Sequence, residues 1–175
     1  MAESAFIVCV PEAEASVGAM RDRCDPTAAL GVPAHITILM LFLSLERITT
    51  QTISEVKSAL RAVRAFPFTL NKVARWPETT YLVPEPAAPF VQLTKAIGKA
   101  FPEFPPYGGR HPDVAPHLTV ADGSASRAEE AESELRAILA RRGPIASICK
   151  TVDLFENSSG TWRFMHAITL DRSDG

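Results

Sequence analysis

A fold of mixed α and β elements, built as a duplicated unit with pseudo-twofold symmetry, is predicted by three observations on this chain of 175 residues. Short apolar, β-branched runs alternate with stretches whose apolar residues recur every three or four positions, so strands and helices are interleaved. Two of the apolar runs open alike, as His35-Ile36-Thr37 and His117-Leu118-Thr119. Each is followed by a helix-start signal, a helical stripe and a pair of strands. The expectation is a single domain over residues 1–175, with repeat units at roughly 35–84 and 117–171.

The elements follow in order. Ser4 to Val10 reads as a strand stopped by Pro11. Glu12 to Arg23 reads as a helix with Val17 and Met20 on one face, broken by Asp25-Pro26. His35 to Leu43 is a strand with apolar residues on both faces, which suggests a central position in a sheet. Thr52 and Glu55 fit a capping box, ahead of a stripe of Ile53, Val56, Leu60 and Val63. Phe68 to Trp76 and Thr80 to Val83 form a hairpin around Pro77-Glu78. Pro89 starts a helix with Phe90, Leu93, Ile97 and Phe101 on its apolar face.

Pro102 to Pro116 is an irregular loop with five prolines and Gly108-Gly109. It delivers the chain into the strand His117 to Ala121. Ser126 and Glu129 suggest a second capping box before the stripe Ala131, Leu135, Ile138, Leu139. Ile145 to Phe155 and Thr161 to Leu170 close the chain as a hairpin. The segment around Val73 lies 38 residues after His35, and its counterpart around Val152 lies 35 residues after His117, aligning Trp76 with Phe155.

Composition narrows the function classes. The chain is 46% hydrophobic and 22% charged, ordinary for a globular protein that buries its own core. With 18 basic and 20 acidic residues the net charge is −2, which argues against a protein devoted to long nucleic acid. Cys9, Cys24 and Cys149 are too dispersed for a disulfide framework or a zinc ribbon, so a reducing cytoplasm is the simplest location. No targeting segment is recognisable, and Ile36 to Leu45 is about half of a membrane span.

The paired motif carries the chemistry. Residues i and i+2 of a strand point to one face, so His35 projects with Thr37 and His117 with Thr119. A pseudo-twofold axis would bring both pairs across one cleft. Imidazole titrates near neutral pH, so one ring can act as base while the other is a protonated acid. The hydroxyls can donate to phosphate oxygens. The set suits in-line displacement at phosphorus and requires no metal or other cofactor.

At these residues the chain resembles the two-histidine (2H) phosphoesterase superfamily, near its 2′-5′ RNA ligase-like branch. The two His-x-Thr motifs stand 82 residues apart, within GVPAHITIL and PPYGGRHPDVAPHLTVAD. The resemblance implies a bilobal α+β fold, an antiparallel sheet in each lobe, and an active cleft between them. It implies His35 and His117 as the acid–base pair, Thr37 and Thr119 as phosphate ligands, and activity on 2′,3′-cyclic phosphates or 2′-5′ linkages of RNA ends or small nucleotides. One departure is Leu39-Met40-Leu41, where a Tyr-Pro-like turn would be expected in the nearest relatives. Ligation through a 2′-5′ bond is the reverse use of the same groups. A non-catalytic nucleotide- or phosphate-binding module is the rival from another class.

Other residues carry weaker signals. Tyr107 and Arg110 flank the two glycines before the second motif and are candidate substrate contacts, as is Trp76 beside Arg75. A surface turn and partial core packing are the plainer readings of these residues. His111 could join His35 and His117 in a three-histidine metal site, although an exposed loop histidine is the simpler reading. His166 reads as a packed or edge residue. No membrane and no obligatory protein partner are inferred.

Overall fold

The computed structural model describes residues 3–109 and 114–172. Among the described residues eight strands and five α-helices follow in the order β1 (Ser4–Cys9), α1 (Glu14–Cys24), α2 (Pro26–Ala29), β2 (His35–Met40), α3 (Thr50–Leu60), β3 (Phe66–Trp76), β4 (Thr79–Glu85), α4 (Ala88–Ala100), β5 (Leu118–Asp122), α5 (Ala125–Arg142), β6 (Ile145–Cys149), β7 (Thr151–Glu156) and β8 (Arg163–Thr169). They form two four-stranded antiparallel sheets, β2-β1-β7-β8 and β5-β4-β3-β6. The fold is therefore α+β with a sheet in each lobe.

The succession β1-α1-β2-α3-β3 recurs as β4-α4-β5-α5-β6/β7, and the two successions exchange strands. β1 and β2 take their third neighbour, β7, from the second half; β4 and β5 take theirs, β3, from the first. The helices cross as well: α1 packs on β5, and α4 packs on β2. One hydrophobic cluster runs through both lobes, from Phe6, Val8 and Ile36 to Phe90, Leu118 and Leu135. Burying the apolar faces of both sheets in one core removes far more apolar surface from water than either half could alone.

Several local expectations are corrected. β2 is an edge strand, not a central one. Its continuous apolar run comes from a bulge: Ile7 pairs with Thr37 and Phe6 with Leu39, skipping Ile38, so Ile38 and Leu39 are both buried. β5 has the same device. Tyr81 pairs with Thr119 and Thr80 with Ala121, skipping Val120, and Val120 and Ala121 are both buried. A bulge thus follows the threonine of each His-x-Thr motif.

Ile145 to Phe155 is not one strand. It breaks at Lys150 into β6, which pairs with β3, and β7, which pairs with β1 and β8, so it stitches the two sheets together. The first capping box is Thr49 with Thr52, one turn before the expected Thr52 and Glu55. Ser124, not Ser126, caps α5. Ser/Thr-rich stretches offer several cap sites, and the packing of the helix selects among them. The helix expected over 12–23 opens as a 3₁₀ turn, Pro11–Ala13, before α1. Among the described residues no helix is long and apolar enough to cross a membrane.

Candidate active site

The two edge strands that carry the motifs, β2 and β5, approach each other where the sheets meet. Between them lies a cavity of about 270 Å³, lined by His35, Thr37, His117, Thr119 and Trp76 among others. Four of the sequence-designated residues and the candidate base contact Trp76 are therefore brought to one place. Tyr107 falls in a 3₁₀ turn, Pro106–Gly109, that packs against β2. Arg110 and His111 lie outside the described residues. His166 sits half-buried in β8, its Nε2 enclosed without a hydrogen-bond partner.

The two histidines are held in the same way. His35 Nδ1 lies 2.8 Å from the carbonyl oxygen of Pro33, and His117 Nδ1 lies 2.7 Å from that of Ala115. A carbonyl can only accept, so each Nδ1 carries the proton. Each neutral ring then keeps its lone pair on Nε2. Burial lowers the pKa of both rings: His35 falls to about 4, and His117 falls below the usual imidazole value. For His35 the bond to Pro33 and the carboxylate of Asp25 oppose the fall, while Arg21 and His117 add to it. Both rings are consequently neutral at pH 7 in the free protein, where the sequence suggested ordinary imidazoles.

The walls differ between the lobes. His117 is enclosed by aromatic rings, with the Trp76 centroid at 4.7 Å and the Tyr81 centroid at 5.4 Å, both approached edge-on. Trp76 and Tyr81 also pack on each other at 4.2 Å. On the other side His35 pairs with Cys9 across β1 and β2, and Thr37 pairs with Ile7. Phe155, Trp162 and Met40 complete the apolar lining, the last within the stretch where the sequence departs from the expected turn. The Cys9 thiol is pushed up to about 12 by burial and by the neighbouring Asp153, so it stays protonated.

Sequence reasoning missed the polar frame. Asp25 and Thr27 line the cavity from the first lobe, Thr79 and Asp122 from the second. Thr27 donates to Asp25 at 2.8 Å and Thr79 donates to Asp122 at 2.6 Å. Arg21, 2% exposed, donates to Asp25 through Nε at 3.0 Å and Nη2 at 2.9 Å, and to the Val32 carbonyl at 3.1 Å. The only local sign was the i,i+4 spacing of Arg21 and Asp25, which many solvated helices share. Among the described residues the polar lining of the cavity consists of threonine hydroxyls, the two imidazoles and the carboxylates of Asp25 and Asp122, with no lysine or arginine.

The profile of the 2′-5′ RNA ligase superfamily matches residues 9–161. The chain belongs to this superfamily, and is thus a two-histidine phosphoesterase. A crystal structure of a phosphoesterase superposes with a TM-score of 0.65 at 15% identity, covering 98% of this chain and 100% of the other. TT0787 of Thermus thermophilus gives 0.63 at 16% identity, covering 98% and 99%. E. coli LigT complexed with 3′-AMP gives 0.62 at 14% identity, covering 96% and 97%. At such identities these likenesses show the shared fold. No curated protein matches the chain at a significant level.

Proposed function

We propose that this protein is a phosphodiesterase acting on the 2′,3′-cyclic phosphate or 2′-5′ linkage of an RNA end or small nucleotide, with His35 and His117 as the acid–base pair. The observation that carries this reading is the mirrored pair itself. Each imidazole spends Nδ1–H on the carbonyl two residues upstream, and each has a threonine two residues downstream lining the same cavity. Such a pair can pass protons on opposite sides of one phosphorus. A neighbour in fold, E. coli LigT, has been crystallised with 3′-AMP, which fits a small nucleotide as substrate.

The chemistry follows from the protonation states. Both rings are neutral at rest, so a proton must enter with the anionic phosphodiester, whose charge favours one imidazolium. Water then adds to phosphorus, and its proton passes to Nε2 of the neutral histidine. The phosphorus–oxygen bond to the leaving group breaks, and that oxygen takes the proton of the imidazolium. Thr37 and Thr119 donate hydrogen bonds to the non-bridging oxygens. Ligation uses the same groups: a ribose 5′-hydroxyl takes the place of water, adds to the phosphorus of a 2′,3′-cyclic phosphate and gives its proton to the neutral histidine, while the bond to the 3′-oxygen breaks and that oxygen takes the proton of the imidazolium.

The deciding experiment is incubation of purified protein with a 2′,3′-cyclic mononucleotide in excess chelator. Conversion to a single nucleoside monophosphate is expected. Activity that disappears with chelator and returns with zinc would move the case to a metal site. Binding without turnover of either cyclic or 2′-5′-linked substrates would identify a binding module.

A further inference from the structure

We infer that Glu14 is a positioning residue for His35, acting through the peptide group between Pro33 and Ala34; the inference rests on the reading of His35 as an acid–base residue. The Ala34 amide donates to Glu14 Oε1 at 2.7 Å, and the Pro33 carbonyl accepts from His35 Nδ1 at 2.8 Å. That amide and that carbonyl belong to one planar peptide unit. The carboxylate of α1 and the imidazole of β2 therefore grip opposite edges of the same plate. A rotation that turned the carbonyl away from His35 would also break the charge-assisted bond to Glu14. The preceding peptide is held too, by Arg21 on the Val32 carbonyl at 3.1 Å. Helix α1 thus sets the plane against which the His35 ring and its tautomer are fixed.

Two further features support the assignment. Gly18 lies one turn beyond Glu14, and a Cβ placed there would come within 2.9 Å of Glu14 Oε2. The glycine leaves room for the carboxylate at a helix-interior position where alanine is the better helix former. The second histidine has no such clamp. Its acceptor carbonyl belongs to the Ala115–Pro116 peptide, and a proline nitrogen carries no hydrogen to offer a carboxylate. His117 is steadied by Trp76 and Tyr81 instead. The pseudo-twofold pair is therefore supported asymmetrically, by a polar clamp on one side and an aromatic one on the other.

Three variants of the full chain test this, read by kinetics on a 2′,3′-cyclic mononucleotide and by the nitrogen resonances of the His35 ring. Glu14→Ala should lower kcat by about 10- to 100-fold with little change in KM, the range expected when a reacting group is misplaced by an ångström or less. Its His35 ring should show a mixture of tautomers while the His117 resonances stay in place. Glu14→Gln, whose amide oxygen can accept the same bond, should restore both readouts. Gly18→Ala should lower kcat without lowering the melting temperature, because it displaces the carboxylate while favouring the helix. Wild-type kcat and an unchanged His35 ring in both Glu14→Ala and Gly18→Ala would overturn the inference. If His35→Ala itself leaves turnover unchanged, the functional reading fails, and the His35 resonances of Glu14→Ala still decide the clamp.

Discussion

The indole of Trp76 meets the imidazole of His117 edge-on, at 4.7 Å between centroids and 80° between planes. Trp76 is 40% exposed, so it forms the outer wall of the cavity and not its core. Burial lowers the His117 pKa, and the Trp76 ring lies against the imidazole. Trp76→Ala should admit water and raise the His117 pKa toward the ordinary imidazole value. A titration of the His117 ring by NMR checks this. The cost in melting temperature should be small, because a partly exposed side chain leaves little cavity behind.

Removing either histidine should nearly abolish turnover. His35→Ala and His117→Ala each delete one essential proton transfer, worth about 10²–10⁴-fold. Groups acting as a unit are not additive, so the double variant should be little slower than either single one. Thr37→Val and Thr119→Val should be milder, since each removes one hydrogen bond and keeps the shape. Steady-state kinetics on a cyclic mononucleotide reads all five variants, with His166→Ala as an internal control that keeps most of the rate.

The pH dependence has a definite sign. A histidine whose folded pKa lies below its unfolded value binds protons more readily when unfolded. For His35, with a folded value of about 4 against an ordinary 6.5, that stability is present above about 6.5 and is lost as the pH falls toward 4. His117 acts in the same direction. Melting temperature should therefore fall across this window, and less steeply in His35→Ala. The singly protonated free enzyme is most populated below the usual imidazole range, so kcat/KM should peak on the acidic side of neutrality. Bound phosphodiester favours the imidazolium, so kcat should hold to higher pH than kcat/KM. A kcat/KM profile centred above pH 7 would contradict this.

The Arg21–Asp25 pair is buried on both sides, at 2% and 1% side-chain exposure. Arg21→Met would strand the Asp25 carboxylate and release the Val32 carbonyl. Breaking a buried pair at one end typically costs about 3–5 kcal/mol. A clear drop in the denaturant midpoint is expected, larger than that of Arg23→Met, whose bridge to Glu134 is solvent-exposed.

Local stereochemistry accounts for what the sequence determined by itself. The i,i+2 rule places His35 with Thr37 and His117 with Thr119 on one strand face, and helical spacing marks Val56 with Leu60 and Leu93 with Ile97 as core. Those relations span a few residues and need no partner. Pairing does need a partner, and only the tertiary structure decided it. The run from Ile145 to Phe155 has no local signal for a switch between sheets; the competing edges of β3 and β1 divide it at Lys150. The apolar stretch of β2 looked central because a bulge and a doubly buried strand leave the same local pattern. Glu14, Arg21 and Asp25 likewise read as the ordinary polar residues of a helix and its C-terminal cap. Their place behind His35 exists only because α1 folds back beside the segment that leads into β2, where buried polar groups must find partners within the protein.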